Sequence, residues 1–213
     1  MKKSIILLWL IPLIISAQKI GMLAPEKPPE KFPNNQWGVD IMFSEGGFGL
    51  GTFYRYQFNT NVLGFVDFSI SESKDEREVE YYDYYTGQTY TIGKVNRVFA
   101  LPVNFGIQYR FFENELEENL RPFLTAGVGP NMILTTPYEL EFFESFGKAK
   151  LKYALGGYVG FGANFGLNKK NLVGLNIRYY YTHMFDKGVE NLKGTFRKDF
   201  GSFYITLSLG SMF

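Results

Sequence analysis

From residue 36 to the end of the chain, bulky apolar side chains recur at every second position. The last segment shows the rule. Phe203, Ile205, Leu207, Leu209 and Phe213 share one parity, Ser202, Tyr204, Thr206, Ser208 and Gly210 share the other, and Ser211 breaks the apolar set. Successive side chains of an extended strand point to opposite faces. Each such segment is therefore a strand with one greasy face and one small or polar face. The split recurs upstream. Trp37, Val39, Ile41 and Phe43 oppose Gly38, Asp40 and Ser44; Phe48, Leu50, Tyr54, Tyr56 and Phe58 oppose Gly49, Gly51, Arg55 and Gln57. Val66, Phe68 and Ile70 oppose Asp67, Ser69 and Ser71; Phe99 to Phe111 alternate with Asn104, Gly106, Gln108 and Arg110. Further segments run through Leu124 to Met132, Leu151 to Leu167 and Val173 to Tyr181, which makes eight strands in all.

The connections also alternate. Segments 59–61, 113–120 and 168–171 are short, 75–94, 135–150 and 185–199 are long, and the first, 45–47, is a short exception. Alternation alone fits a soluble barrel or sandwich as well. The content of the faces decides. The apolar face runs for about ten residues per strand, enough to cross a bilayer at a tilt. The other face carries Gly, Ser, Thr and Asn together with charges. Hydrocarbon offers no hydrogen bonds to backbone groups, so a sheet in lipid must close on itself. The pattern predicts an all-β fold, an eight-stranded antiparallel up-and-down transmembrane β-barrel spanning 36–213, with short turns at one end and long loops at the other. Clusters such as Tyr54, Tyr56 and Phe58, or Tyr109, Phe111 and Phe112, fit the aromatic girdles of such barrels.

Composition supports this. Among 213 residues there are 22 Phe, 15 Tyr and 23 Gly, a usage that favours strands and turns. A net charge of +1 implies no nucleic-acid or other polyanion partner. The absence of Cys rules out disulfides, thiolate metal sites, a cysteine nucleophile and a lipid-modified N-terminal cysteine. Residues 1–17 read as a signal peptide: Lys2 and Lys3, an apolar run from Ile5 to Ile15, then Ser16-Ala17 before the expected cut. The run is too short for a membrane anchor. Residues 18–35, with Pro25, Pro28, Pro29 and Pro33, read as an extended leader.

Two glycine-rich strand motifs carry a family resemblance, Arg121-Pro122-Phe123-Leu124-Thr125-Ala126-Gly127-Val128-Gly129 and Gly156-Gly157-Tyr158-Val159-Gly160-Phe161-Gly162, together with the last strand ending at Phe213. On them the chain resembles the small outer-membrane β-barrel domain family, which includes the barrel of outer membrane protein A and many porin-family proteins of Bacteroidota. The resemblance implies the bacterial outer membrane, outer-membrane lipid around the barrel, and insertion by the barrel-assembly machinery with Phe213 as assembly signal. It implies no single activity, since members serve as anchors, adhesins, pores or secretion accessories.

Catalytic, cofactor and metal sites are not expected. His183 is the single histidine and shares the outward parity of Tyr179 and Tyr181. Barrel-type lipid A deacylases use a His-x-Ser pair, and Phe185 occupies the serine's place here. The acidic stretch Glu72, Asp75, Glu76, Glu78, Glu80 and Asp83 has no EF-hand spacing and reads as a solvated loop. The inner-face residues Asp40, Arg55, Asp67, Asn104, Arg110 and Arg178 are expected to form a paired network that plugs the lumen, with a narrow ion path as the rival reading. In loop 73–94, Tyr81, Tyr82, Tyr84, Tyr85 and Tyr90 flank Thr86-Gly87 and predict a β-hairpin that extends the third and fourth strands and offers a docking surface to an external partner. The expectation is a non-enzymatic barrel with a structural or surface-interaction role. The alternatives are a narrow pore for ions or small solutes and an accessory barrel of a secretion system.

Overall fold

The structure, a computed structural model, describes residues 33–75, 77–111, 120–168 and 170–213, with side chains left out for 166–168. The expected signal peptide, the leader up to residue 32, Glu76, Phe112 and nearly all of turn 113–120 lie outside the described residues.

In chain order the strands are β1 (Asn35–Ser44), β2 (Gly47–Gln57), β3 (Val62–Glu72), β4 (Glu80–Tyr82), β5 (Thr89–Thr91) and β6 (Asn96–Arg110). Then come β7 (Leu120–Pro137), a four-residue helix α1 (Phe142–Ser145) followed by a 3-10 turn (Phe146–Lys148), and β8 (Lys150–Asn168). β9 (Asn171–His183), β10 (Val189–Leu192), β11 (Thr195–Arg197) and β12 (Asp199–Met212) complete the chain. Eight of these close into one antiparallel barrel in the order β1-β2-β3-β6-β7-β8-β9-β12, each paired with its neighbour along the chain. β12 closes on β1, with Val39 opposite Leu209 and Ile41 opposite Leu207. Phe213 donates its N–H to Asn35 O at 2.9 Å and accepts from Asn35 N at 3.1 Å, so pairing holds to the last residue.

The two faces separate as the alternation predicts. Trp37, Val39, Leu50, Val66, Phe105, Ile107, Val159, Phe161, Leu175 and Ile205 are exposed on the outside, while Asp40, Asp67, Asn104, Asn176 and Arg178 are buried inside. A soluble core would show the reverse.

The lumen is less simple than glycine and ion pairs. Phe53, Phe65, Phe123, Tyr158, Tyr180 and Tyr204 point inward and are buried. Some of them sit where the chain lacks bulk on the facing strands. Cβ atoms placed on Gly106 and Gly127 would come within 2.5 and 2.9 Å of the Phe65 ring. An eight-stranded barrel must fill its interior with side chains, and glycines on one strand make room for rings from another. The filling is layered. Phe53, Leu172 and Met212 cluster toward the short-turn end. Met42, Phe65, Tyr158, Tyr180 and Tyr204 form the middle. Val98, Ile133, Ala154, Met184, Val189 and Phe200 form an apolar cap at the long-loop end.

The long loops are structured. The hairpin expected in loop 73–94 forms, with Tyr81 opposite Tyr90 and Gly87 at φ +69° in its turn. It does not extend the barrel strands, however. β4 and β5 are a separate two-stranded sheet, because the chain leaves the wall after Ser73, whose N–H still donates to Val98 O at 2.9 Å.

Candidate functional site

The middle of the lumen gathers four charged side chains. Arg178 Nη2 lies 2.8 Å from Asp40 Oδ2, and both groups are almost fully buried. Ser208 Oγ donates to Asp40 Oδ1 at 2.5 Å, and Arg178 Nε donates to Asn176 Oδ1 at 2.7 Å. Arg178 Nη1 also reaches Tyr180 Oη at 3.3 Å, and its guanidinium lies 5.1 Å from the Tyr158 ring centre. Asp67 takes no arginine. It accepts from Asn104 Nδ2 at 2.8 Å and from Tyr158 Oη at 2.7 Å. Arg55 stacks on Phe53 at 3.9 Å, and its Nη1 has no hydrogen-bond partner. Among the described residues, only Asp40 and Arg178 of the four form an ion pair. Two carboxylates and two guanidiniums still balance within one layer, and low-dielectric burial makes such balance necessary. Asn104 thus sits at the heart of the network. Arg110 lies apart, toward the short-turn end, and donates to Gln57 Oε1 at 3.2 Å.

Little room is left for a conducting path. The gap among Arg55, Asp67, Gln108, Thr125 and Arg178 holds no space for a water molecule. A second cavity, lined by Ser69, Ser71, Asn131, Thr182 and Tyr204, holds about 20 Å³, on the order of one water. Above them lies the apolar cap.

A clasp of loops lies over that cap. The β3–β6 and β9–β12 connections stand on opposite sides of the ring, with two strands between them either way. Nevertheless Val95 N donates to Asn191 O and Lys193 N to Gly93 O, each at 2.8 Å. Asn96 Nδ2 donates to Glu190 O at 2.7 Å, and Arg197 Nη1 to Lys74 O at 2.9 Å. Beneath them Lys94 Nζ meets Glu78 at 2.7 Å with both side chains buried, and Asn191 Nδ2 donates to the same carboxylate at 2.5 Å. Asp75 is held by Arg77 at 2.9 Å and Arg197 at 3.6 Å. Hydrogen bonds from Arg77 outweigh burial and, with Arg197 nearby, hold the Asp75 carboxyl below its usual range. The acidic stretch of this loop is therefore largely spent on ion pairs within the clasp, which sequence reading took for a solvated loop. Nothing in the spacing of Asn191 reveals this, because its partner Glu78 comes from the far side of the barrel.

Outside the clasp stands the tyrosine hairpin. Tyr81 and Tyr90 stack at 6.1 Å, Tyr82 and Tyr84 meet edge to face at 5.2 Å, and Tyr84 and Tyr85 are 90% and 101% exposed. All five tyrosines thus share one projecting element. His183 lies outside the barrel at the same end. Its Nδ1 is 2.7 Å from Asp199 Oδ1, to which Tyr181 Oη also donates at 2.6 Å. Sequence reading missed this Asp–His–Tyr group, because Asp199 reaches His183 only through the β9–β12 register. No hydroxyl of Ser or Thr bonds His183 among the described residues. The Phe213 ring is exposed at the short-turn end.

No protein-family model and no curated protein matches the sequence. Solved structures do match in shape. The N-terminal β-barrel domain of Pseudomonas aeruginosa OprF is similar at TM-score 0.53 and 12% identity, covering 86% of this chain and 100% of that one. Neisserial surface protein A (NspA) is similar at TM-score 0.55 and 13% identity, with the same coverage. At such identity the likeness shows the fold alone: this is an eight-stranded barrel of the kind found in small outer-membrane proteins.

Proposed function

We propose that this chain is a non-enzymatic outer-membrane protein of a Gram-negative-type bacterium, in which a plugged barrel serves as the support and the tyrosine hairpin as the working surface. The chain would leave the cytoplasm by its signal peptide, enter the membrane through the barrel-assembly machinery with Phe213 as signal, and present its long loops outside the cell. The observation that carries the reading is the contrast at one end of the molecule. The apolar cap and the clasp lie over the bore, while five exposed tyrosines project beyond them, Tyr84 and Tyr85 with their rings bare. Tyrosine supplies large contact area at low entropic cost and keeps a hydrogen-bonding tip, so such a surface favours a protein partner. The free edges of a two-stranded sheet add backbone donors and acceptors for strand pairing.

The test has two arms. Purified protein in planar bilayers should give no steady single-channel steps; discrete, reproducible conductance would favour the pore reading. Cells carrying Tyr84→Ser and Tyr85→Ser, or lacking 76–92, should keep a folded, heat-modifiable barrel in the outer membrane but lose surface attachment and partner recovery. Unchanged attachment and recovery in both would remove the docking role. Recovery of secretion components by crosslinking, unaffected by these changes, would point instead to the accessory role.

A further inference from the structure

We infer that the β7–β8 loop is a lipid-seated anchor, which places Phe142, Phe143 and Phe146 in the acyl-chain edge of the leaflet at the long-loop end. The inference rests on the membrane reading above and adds to it an element that is not part of the barrel wall.

The geometry begins at Phe99 on β6. Its parity is that of Phe105 and Ile107, so it faces out of the barrel. Phe142 and Phe146 pack on it, with ring centres at 6.3 and 6.0 Å, and they meet each other at 5.3 Å. The helical turn is therefore laid against the outer wall and does not cover the mouth. Phe142 meets Phe143 at 5.2 Å as well as Phe146, so the three rings form one apolar edge. Four helical residues have no stability of their own in water. Here Ser145 Oγ, buried, donates to Phe142 O at 2.6 Å, and Arg97 donates to the carbonyls of Pro137 and Leu140 at 3.1 and 3.2 Å. Arg97 also stacks over Tyr138 at 4.9 Å, so the loop is pinned to the rim.

With the turn so fixed, its phenylalanines still face outward. Phe143 is 86% exposed, and Phe142 and Phe146 remain exposed although they cover Phe99. Unlike the tyrosines of the hairpin, these rings carry no polar atom that water could satisfy. The patch is continuous with the outer faces of β7 and β8, where Leu134 pairs with Leu151 and Met132 with Tyr153. Leu151 and Tyr153 are themselves exposed. Continuity with the lipid-facing belt, and a place on the side of the barrel instead of its tip, select acyl chains as the occupant. The acidic residues of the loop agree. Glu139, Glu141 and Glu144 are exposed and keep one side of the segment in water, as in amphipathic elements that lie in an interface. The anchor would set the depth and tilt of the barrel on its β6–β8 side.

The absence of Cys allows clean site-directed labelling. Spin labels are placed on Phe143→Cys, Phe146→Cys, Tyr85→Cys and Phe161→Cys, each variant refolded into phosphatidylcholine vesicles. Accessibility to oxygen, which concentrates in hydrocarbon, is compared with accessibility to a water-soluble nickel complex. The labels at 143 and 146 should show an oxygen-to-nickel ratio several-fold above that at 85 and below that at 161, in mid-belt. Nickel accessibility at 143 and 146 equal to that at 85, with 161 still in lipid, would overturn the anchor and leave the barrel reading standing. Nickel accessibility at 161 as well would overturn both. Because Phe143 is so exposed, its replacement removes little packing, and heat-modifiable migration verifies that each variant folds.

Discussion

Replacing Arg178 with Met removes the one cation that touches Asp40. The Asp40 carboxylate is almost fully buried, with the guanidinium at 2.8 Å, and Ser208 is its other polar contact. Two unit charges with centres roughly 4 Å apart attract by about 4 kcal/mol at an effective dielectric of about 20. Measured losses on breaking a buried pair from one side run to about 3–5 kcal/mol. The methionine keeps much of the arginine stem, so a cavity contributes little. The variant also leaves Asp40 and Asp67 facing Arg55 alone, an arginine that already stacks on Phe53 without an ion pair. A loss of about 3–5 kcal/mol is therefore expected for Arg178→Met. Replacing both residues, Asp40→Leu with Arg178→Met, removes both charges together, and the double variant should cost less than the sum of the single changes by about 2–3 kcal/mol. The assay is urea unfolding in phospholipid vesicles of the chain from residue 18 onward, in which Trp37, on the outer belt, is the sole tryptophan. Strictly additive effects, or a loss below about 1 kcal/mol for Arg178→Met, would refute the claim that paired charge in a dry lumen holds the barrel.

Other outcomes follow from neighbouring layers. Phe65→Ala should cost about 3–5 kcal/mol by the cavity it opens. Gly127→Ala alone sets a methyl within 2.9 Å of the Phe65 ring and should cost about 1–3 kcal/mol, yet be nearly neutral in the Phe65→Ala background, as urea unfolding can check. Lys94→Met strands the buried Glu78 carboxylate and should lower the local opening free energy of 73–95 and 184–198 by about 3 kcal/mol, read as faster amide exchange there with the barrel strands unchanged. Asp75 makes the clasp acid-sensitive. Its carboxyl is depressed in the folded protein, so its contribution is complete above the unfolded value of about 4 and disappears as pH falls through the lower folded value. Protease cleavage within 73–95 should rise over that acid window in the parent and be already elevated, with a weaker pH dependence, in Asp75→Asn.

Much of the architecture is legible one residue at a time. Parity along Phe203 to Leu209 or Phe99 to Tyr109 states which way each side chain points, because a strand's period of two is a property of its own backbone. The same parity places Asp40, Arg55, Asp67, Asn104, Arg110 and Arg178 inside, and Thr86-Gly87 marks the tip of the tyrosine hairpin. The inward rings of Phe53, Phe65, Tyr158 and Tyr180 run against a simple polar-inside rule. They make sense only once the facing glycines are known, and strand register decides which glycine faces which ring. Asn191 meeting Glu78 likewise depends on where closure of the barrel brings loops that are far apart along the chain, and Asp199 meeting His183 depends on the register of two neighbouring strands. Local patterning therefore determined the strands, their faces and the two unlike ends. Which charges pair, which rings fill the bore and how the mouth is shut were decided by closure and register, since those contacts join segments whose approach no local period encodes.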